Sequence, residues 1–282
     1  MSTWSRGGLA ILLSSLVTSA CTSPGGSTAA TVTVTETAST TATATATAAP
    51  TTVTPSPVTV TETAPTPPAE GGPGGASPAL GALGSLPVKG RAPKTGYDRA
   101  QFGQAWSDAV EVDGGRNGCD TRNDVLRRDL TGITLDPSTG GCVVLTGTLQ
   151  DPFTGTTISF VRGRDTSREV QIDHLVALSN AWQTGAQQLG VQQREDLAND
   201  PLNLLAVQGS ANAQKGAGDA ATWLPRKAFR CDYAARQIAV KQRHHLWVTP
   251  PERDALTRIL RSCPDQPLPT PAGTGVPARG AP

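Results

Sequence analysis

The chain contains three histidines, in two different settings. His174 follows Asp173 at the end of one apolar run and precedes another. A carboxylate beside an imidazole offers a hard oxygen ligand and a group that can accept a proton near neutral pH, a combination suited to metal-assisted hydrolysis. In isolation such a pair also serves as a hydrogen-bonded structural element. His244 and His245 stand beside Lys241 and Arg243 at the end of a basic stretch, where a solvated helix C-terminus accounts for them. Downstream of His174, Pro201-Leu202-Asn203-Leu204-Leu205 and Ser210-Ala211-Asn212-Ala213-Gln214-Lys215-Gly216 set Asn203, Asn212 and Lys215 in order. Taken singly these are a turn residue, a helix cap and a solvated charge, and Asp219 reads as a cap for the Gly216-Ala217-Gly218 turn.

Charge supplies a second set of candidates. Arg226, Lys227, Arg230, Arg236, Lys241 and Arg243 face the single acid Asp232, a stretch able to follow a phosphate backbone. Of these, Arg226, Lys227 and Arg230 are expected to bind phosphate. Arg162, Arg164 and Arg168 precede the Asp-His pair and are candidates for a phosphate clamp, with Arg164 favoured. The net charge of +1 excludes a histone-like polycation. A local basic groove is enough for a nucleic-acid enzyme.

The elements that must position these groups begin late in the chain. No aromatic residue lies between Trp4 and Tyr97, and residues 29–68 are almost wholly Thr, Ala, Val and Pro, a composition that cannot offset its chain entropy by burial. One core is therefore expected, over residues 87–265, after a linker over 22–86 and before a Pro/Gly-rich tail over 266–282. Tyr97, Phe102 and Trp106 suggest a helix near 97–108. Residues 143–149 and 156–161 flank Asp151-Pro152-Phe153-Thr154-Gly155 and predict a hairpin. Strands are expected at 170–173 and 202–207, helices over 175–189, around 194–198, from Ser210 and over 231–244. Thr249-Pro250-Pro251-Glu252 opens a further helix that turns Leu256, Ile259 and Leu260 inward.

Residues 1–21 carry Arg6, a short apolar run and small residues before Cys21, the layout of a signal peptide. Thr18-Ser19-Ala20-Cys21 resembles a lipobox, which implies lipidation of Cys21 and a membrane contact through that anchor alone. Export implies an oxidising compartment. There the remaining cysteines are expected to form disulfides, and of three possible pairings Cys119 with Cys142 and Cys231 with Cys263 are the nearest in sequence.

The ordered blocks Val-Gln-Ile-Asp-His at 170–174, Asn-Asp-Pro-Leu-Asn-Leu at 199–204 and Gly-Asp-Ala-Ala-Thr-Trp-Leu-Pro at 218–225, with Asn212 and Lys215 between the last two, resemble the HNH endonucleases, in particular their secreted bacterial branch. The resemblance implies an α+β fold with a ββα-metal core, a helical insertion over Leu175–Ala198 and flanking helices. It makes His174 the general base, Asn203 the residue that orients the His-bearing backbone, Asp173 and Asn212 the metal ligands, and Lys215 a phosphate contact. Asp and an Asn amide are hard donors, so Mg2+ or Mn2+ is expected and zinc disfavoured. Cleavage of DNA, with RNA left open, is expected to be largely sequence-independent and to leave 5′-phosphates, and no protein partner is implied. Two rival readings are a catalytically silent envelope module that binds nucleic acid or wall polymer, and a structural lipoprotein.

Overall fold

The computed structural model describes residues 77–164 and 166–270. The expected signal segment, Cys21 and most of the expected linker lie outside them. Among the described residues no helix is long and apolar enough to cross a membrane.

Seven helices and five strands form a mixed α+β arrangement among these residues. Helix α1 spans Pro78–Ser85, α2 Thr121–Asp129, α3 Leu178–Gln183, α4 Val191–Asn199, α5 Gly209–Lys215, α6 Arg230–Arg243 and α7 Pro250–Leu260. Strands β1 Leu130–Leu135, β2 Val144–Gln150 and β3 Thr157–Val161 make an antiparallel sheet in that order, with the expected turn at 151–155 between the last two. The second sheet is the antiparallel pair of β4, Val170–His174, and β5, Leu204–Gln208, with His174 opposite Leu204.

Alternation along β5 explains its unbroken apolar run. Leu204 and Ala206 join Val125, Leu149, Phe160 and Ile172 on one side, while Leu205 and Val207 join Tyr233, Ile238 and Leu256 on the other. Helix α5 follows β5 without a loop and folds back toward β4. Gly209 permits that approach, because a Cβ there would run into the Arg168 carbonyl. Helix α7 starts as its residues predict: Thr249 Oγ1 accepts from the Glu252 amide, and the Glu252 side chain reaches back to Thr249.

Both expected disulfides are formed, Cys119–Cys142 tying the start of α2 to the β1–β2 connection and Cys231–Cys263 tying α6 to the end of α7. By the chain-entropy relation, closing loops of 23 and 32 residues stabilises the fold by about 3 to 4 kcal/mol each.

Several expectations need correction. The core starts before residue 87: α1 buries Ala79 and Leu83 against α6 and α7, with Ser77 accepting from the Leu80 amide as its cap. At the other end Leu268 packs on the core and the Gln266 carbonyl accepts from Ala79, so the tail does not begin at 266. The 97–108 segment holds only a 3₁₀ turn at Arg99–Phe102. The helix expected over 175–189 breaks at Gly185, whose φ of 133° no L side chain adopts easily, leaving α3 and a 3₁₀ turn at Ala186–Gln188. The helix α2 and strand β1 were not anticipated.

Candidate active site

The pleat of β4 sends neighbouring side chains to opposite faces. Gln171 and Asp173 face α5, where Gln171 Oε1 accepts from Asn212 Nδ2 at 2.9 Å and the Asp173 carboxylate sits 3.0 Å from Lys215 Nζ. His174, on the other face, lies against Trp106, with ring centroids 6.1 Å apart and planes 18° from parallel.

His174 is held through its ring and its backbone. Nε2 lies 2.8 Å from the carbonyl of Ala198 at the end of α4. A carbonyl only accepts, so Nε2 carries the proton and Nδ1 keeps a lone pair. Burial pushes the imidazole down to about 3, which keeps it neutral at pH 7. Fully buried Asn203 fixes the chain just after His174: its Oδ1 accepts from the Val176 amide at 2.8 Å, and its own carbonyl accepts from Leu175.

The segment 198–203 that contacts His174 is itself anchored by four cationic or imidazole side chains. Arg128 and Arg236 donate to the carbonyls of Pro201 and Leu204, and Arg236 also to Leu202. Arg243 and His244 meet the fully buried Asp200 carboxylate at 3.0 and 2.8 Å. The solvated-terminus reading of His244 is therefore corrected, while His245 is exposed. Lys241 is also turned inward, paired with Glu252 at 2.9 Å and donating to the Trp247 carbonyl. The basic stretch loses two of its six members, Arg236 and Lys241, to the interior, because these long side chains find acceptors there.

Lys215 needs the same correction. Its ammonium is buried between Asp173 and the carbonyl of His174, 2.8 Å away, and is not on a phosphate-facing surface. Burial pushes Asp173 up to about 6 even though Lys215 pulls the other way. The ammonium stands 3.0 Å from both carboxylate oxygens of Asp173. Asp219 does not cap the Gly216-Ala217-Gly218 turn, which Gly218 closes onto the Lys215 carbonyl; it accepts from the Ala221 amide in the turn that follows and pairs with Arg91 at 2.6 Å.

Two cavities of about 380 Å³ each meet at His174, Arg99 and Leu178. One is polar, with Asp173, Asn212 and Lys94 in its wall; the other is walled by Phe102, Trp106 and Ala198, with the amide side chains of Gln104 and Asn199. Arg164 is exposed on the loop after β3 and lines neither cavity. Arg162 from the same loop is spent on the Val144 carbonyl and Asn123. Arg226 stands beside the 151–155 turn, where its amide donates to the Phe153 carbonyl and Gly155 leaves room for its side chain, and Arg226, Lys227 and Arg230 all line neither cavity. The guanidinium brought to His174 is Arg99, exposed and without an ion pair among the described residues. Only the neighbouring aromatics at Tyr97, Phe102 and Trp106 marked its segment in the sequence.

The donor set suits a hard cation. Gln171 holds the Asn212 amide by its nitrogen, so its oxygen is the free end, while both Asp173 carboxylate oxygens lie 3.0 Å from the Lys215 ammonium. Among the described residues no group of three His, Cys, Asp or Glu side chains is placed to hold a metal ion.

Residues 120–259 of this α+β protein match the model of the C-terminal domain of the GmrSD restriction endonucleases. An "Uncharacterized secreted protein" of Arthroderma benhamiae is 36% identical over 191 residues, covering 67% of this chain and 86% of the relative. The chain belongs to the family of that secreted protein. No solved structure matches it.

Proposed function

We propose that this chain is an exported endonuclease of the ββα-metal type that hydrolyses DNA phosphodiesters with His174 as general base. The observation that carries the reading is the buried imidazole fixed through Nε2, on a strand end whose other face turns Asp173 toward Asn212. The order β4, β5, α5 supports the ββα assignment.

In this reading His174 Nδ1 takes the proton of an attacking water. At about 3 the free imidazole is a weak base. An anionic phosphodiester drawn beside it favours the imidazolium and raises its basicity as the proton moves. Arg99 takes the phosphate-clamp role first given to Arg164, because it borders both cavities at His174. Asn203 keeps the His-bearing backbone in place. Asp173 and the Asn212 amide oxygen would hold a magnesium or manganese ion, which supplies stabilisation of negative charge on the phosphoryl and leaving oxygens. Arg226, Lys227 and Arg230 remain candidates for contacts to more distant phosphates. No base-reading element is assigned, so cleavage is taken as sequence-independent.

Export is supported by the two disulfides and by the secreted relative. Lipidation of Cys21 would tether the enzyme to the outer membrane face, and the mass of the mature N-terminal peptide tests it. The activity is tested by incubating plasmid DNA with purified protein, with magnesium or with chelator, for wild type and His174→Ala. Nicking by the wild type with magnesium alone is the expected result. Equal nicking by both proteins, or by neither with any divalent ion, overturns the proposal.

A further inference from the structure

We infer that the Trp106-walled cavity is a nucleobase pocket, occupied by the base next to the phosphate being cut, so that unpaired strands are the preferred substrate. The inference rests on the nuclease reading of His174 and names the substrate form for that site.

The two cavities divide a nucleotide between them by chemistry. Asp173, Asn212, Lys94 and Arg99 in the polar one suit a phosphate and its counter-ion. A phosphate gains little from Phe102, Trp106, Leu178 and Ala198 in the other, whereas a base presents a flat π face and a hydrogen-bonding edge. Because the cavities share His174 and Arg99, a base in one lies next to a phosphate in the other. The volume of about 380 Å³ is in the range of small-molecule sites.

Two details point to a ligand. Trp106 holds φ of 61°, a left-handed backbone that a bulky residue rarely adopts, and this conformation accompanies a half-buried ring set alongside the imidazole of His174. Asn199 in the same wall is 1% exposed and donates through Nδ2 to the Glu195 carbonyl, yet its Oδ1 has no donor. A side-chain turn that brings this oxygen to the cavity would offer an acceptor to the exocyclic amine of cytosine, adenine or guanine. In a duplex the base is stacked and paired and must first be flipped out, whereas a single strand offers it directly.

The test compares the full chain as wild type, Trp106→Phe and Trp106→Leu on one oligonucleotide sequence, single-stranded and duplex. Leucine keeps apolar bulk against the core but removes the aromatic face; phenylalanine keeps both. Wild type and Trp106→Phe are expected to favour the single strand. Trp106→Leu should lower single-strand kcat/KM about tenfold more than duplex kcat/KM, mainly through KM. Equal losses on both substrates, or a wild type that cuts duplex as fast as single strand, overturn the pocket. A second arm measures binding of a deoxynucleoside 5′-monophosphate to His174→Ala protein with and without the Trp106→Leu change, with deoxyribose 5-phosphate as competitor. Binding lost with the ring and resistant to the base-free competitor supports the pocket even if no cleavage is found, which would sink the nuclease reading alone. Binding unaffected by Trp106→Leu overturns the pocket whatever the cleavage result.

Discussion

Replacing Lys215 by methionine separates two roles for a lysine that lies in a motif. In the structure Nζ is 3.0 Å from the Asp173 carboxylate and 2.8 Å from the His174 carbonyl, with the lysine side chain 0% exposed and the aspartate 5%. Coulomb's law at 3.0 Å with an effective dielectric of about 20 gives an attraction of about 5 kcal/mol. Removing one partner of such a pair costs about 3–5 kcal/mol, because the other charge stays buried without compensation. A domain is stable by only about 5–15 kcal/mol, so the loss is a large share of the total. Urea unfolding followed by tryptophan fluorescence, without divalent ions, should show it directly. Adding Asp173→Asn to Lys215→Met removes the stranded charge and should recover much of the loss. A phosphate-contacting lysine behaves differently: stability would change by about 0.5 kcal/mol or less, and the log-log salt slope of DNA binding would fall by about one. That second pattern would refute the buried-pair reasoning.

Other consequences follow from the same geometry. The folded pKa of His174 is depressed from the usual 6.5 to about 3, so its contribution is complete above pH 6.5 and is lost as the pH falls, because the unfolded chain takes a proton that the folded one refuses. The slope is about 1.4 kcal/mol per pH unit for this group, and Asp173, raised to about 6, opposes it between 3.8 and about 6. Stability of His174→Gln measured at stepped pH should therefore fall less than that of wild type between pH 6.5 and 4; parallel curves contradict the assignment. Asn203→Ala leaves the buried Val176 amide without its acceptor and should cost about 1–3 kcal/mol, with DNA nicking reduced beyond what the unfolded fraction explains. Nicking assays and urea curves on the same preparation decide this, and unchanged stability would count against it. Leu83→Ala should cost about 2–5 kcal/mol, and a chain starting at residue 87 should melt below one starting at 77. Equal melting temperatures would return residues 78–85 to the linker.

Elements with local signals were legible in the sequence. The turn chemistry of 151–155 marks the β2–β3 hairpin, and Thr249 to Glu252 marks the start of α7. Helix α2 was missed because its segment, Thr-Arg-Asn-Asp-Val-Leu-Arg-Arg-Asp, carries only two apolar residues and reads as surface. It is buried through polar contacts, with Asp124 bonded to Asn117 and Asn123 to the Val144 amide. Burial also pushes Asp124 up to about 6. Helix α1 was missed for a different reason, since eight small and apolar residues at the edge of a Gly/Pro-rich stretch resemble linker until partners from α6 and α7 are seen.

The sequence by itself set the order of the candidate residues, Asp173 beside His174 with Asn203 and Asn212 to follow, and made the nearest cysteine pairings the expected ones, which the structure forms. These depend on residues close along the chain or on a pattern repeated within a family. Only the tertiary structure decided which charges meet solvent. Lys215, Arg236, Lys241 and His244 turned inward because buried carboxylates and carbonyls compensate them, while Arg99 and Trp106 reached His174 from far upstream. Spacing along a chain records the face of a strand or helix on which a side chain lies; whether that face meets water or a partner is set by segments distant in sequence.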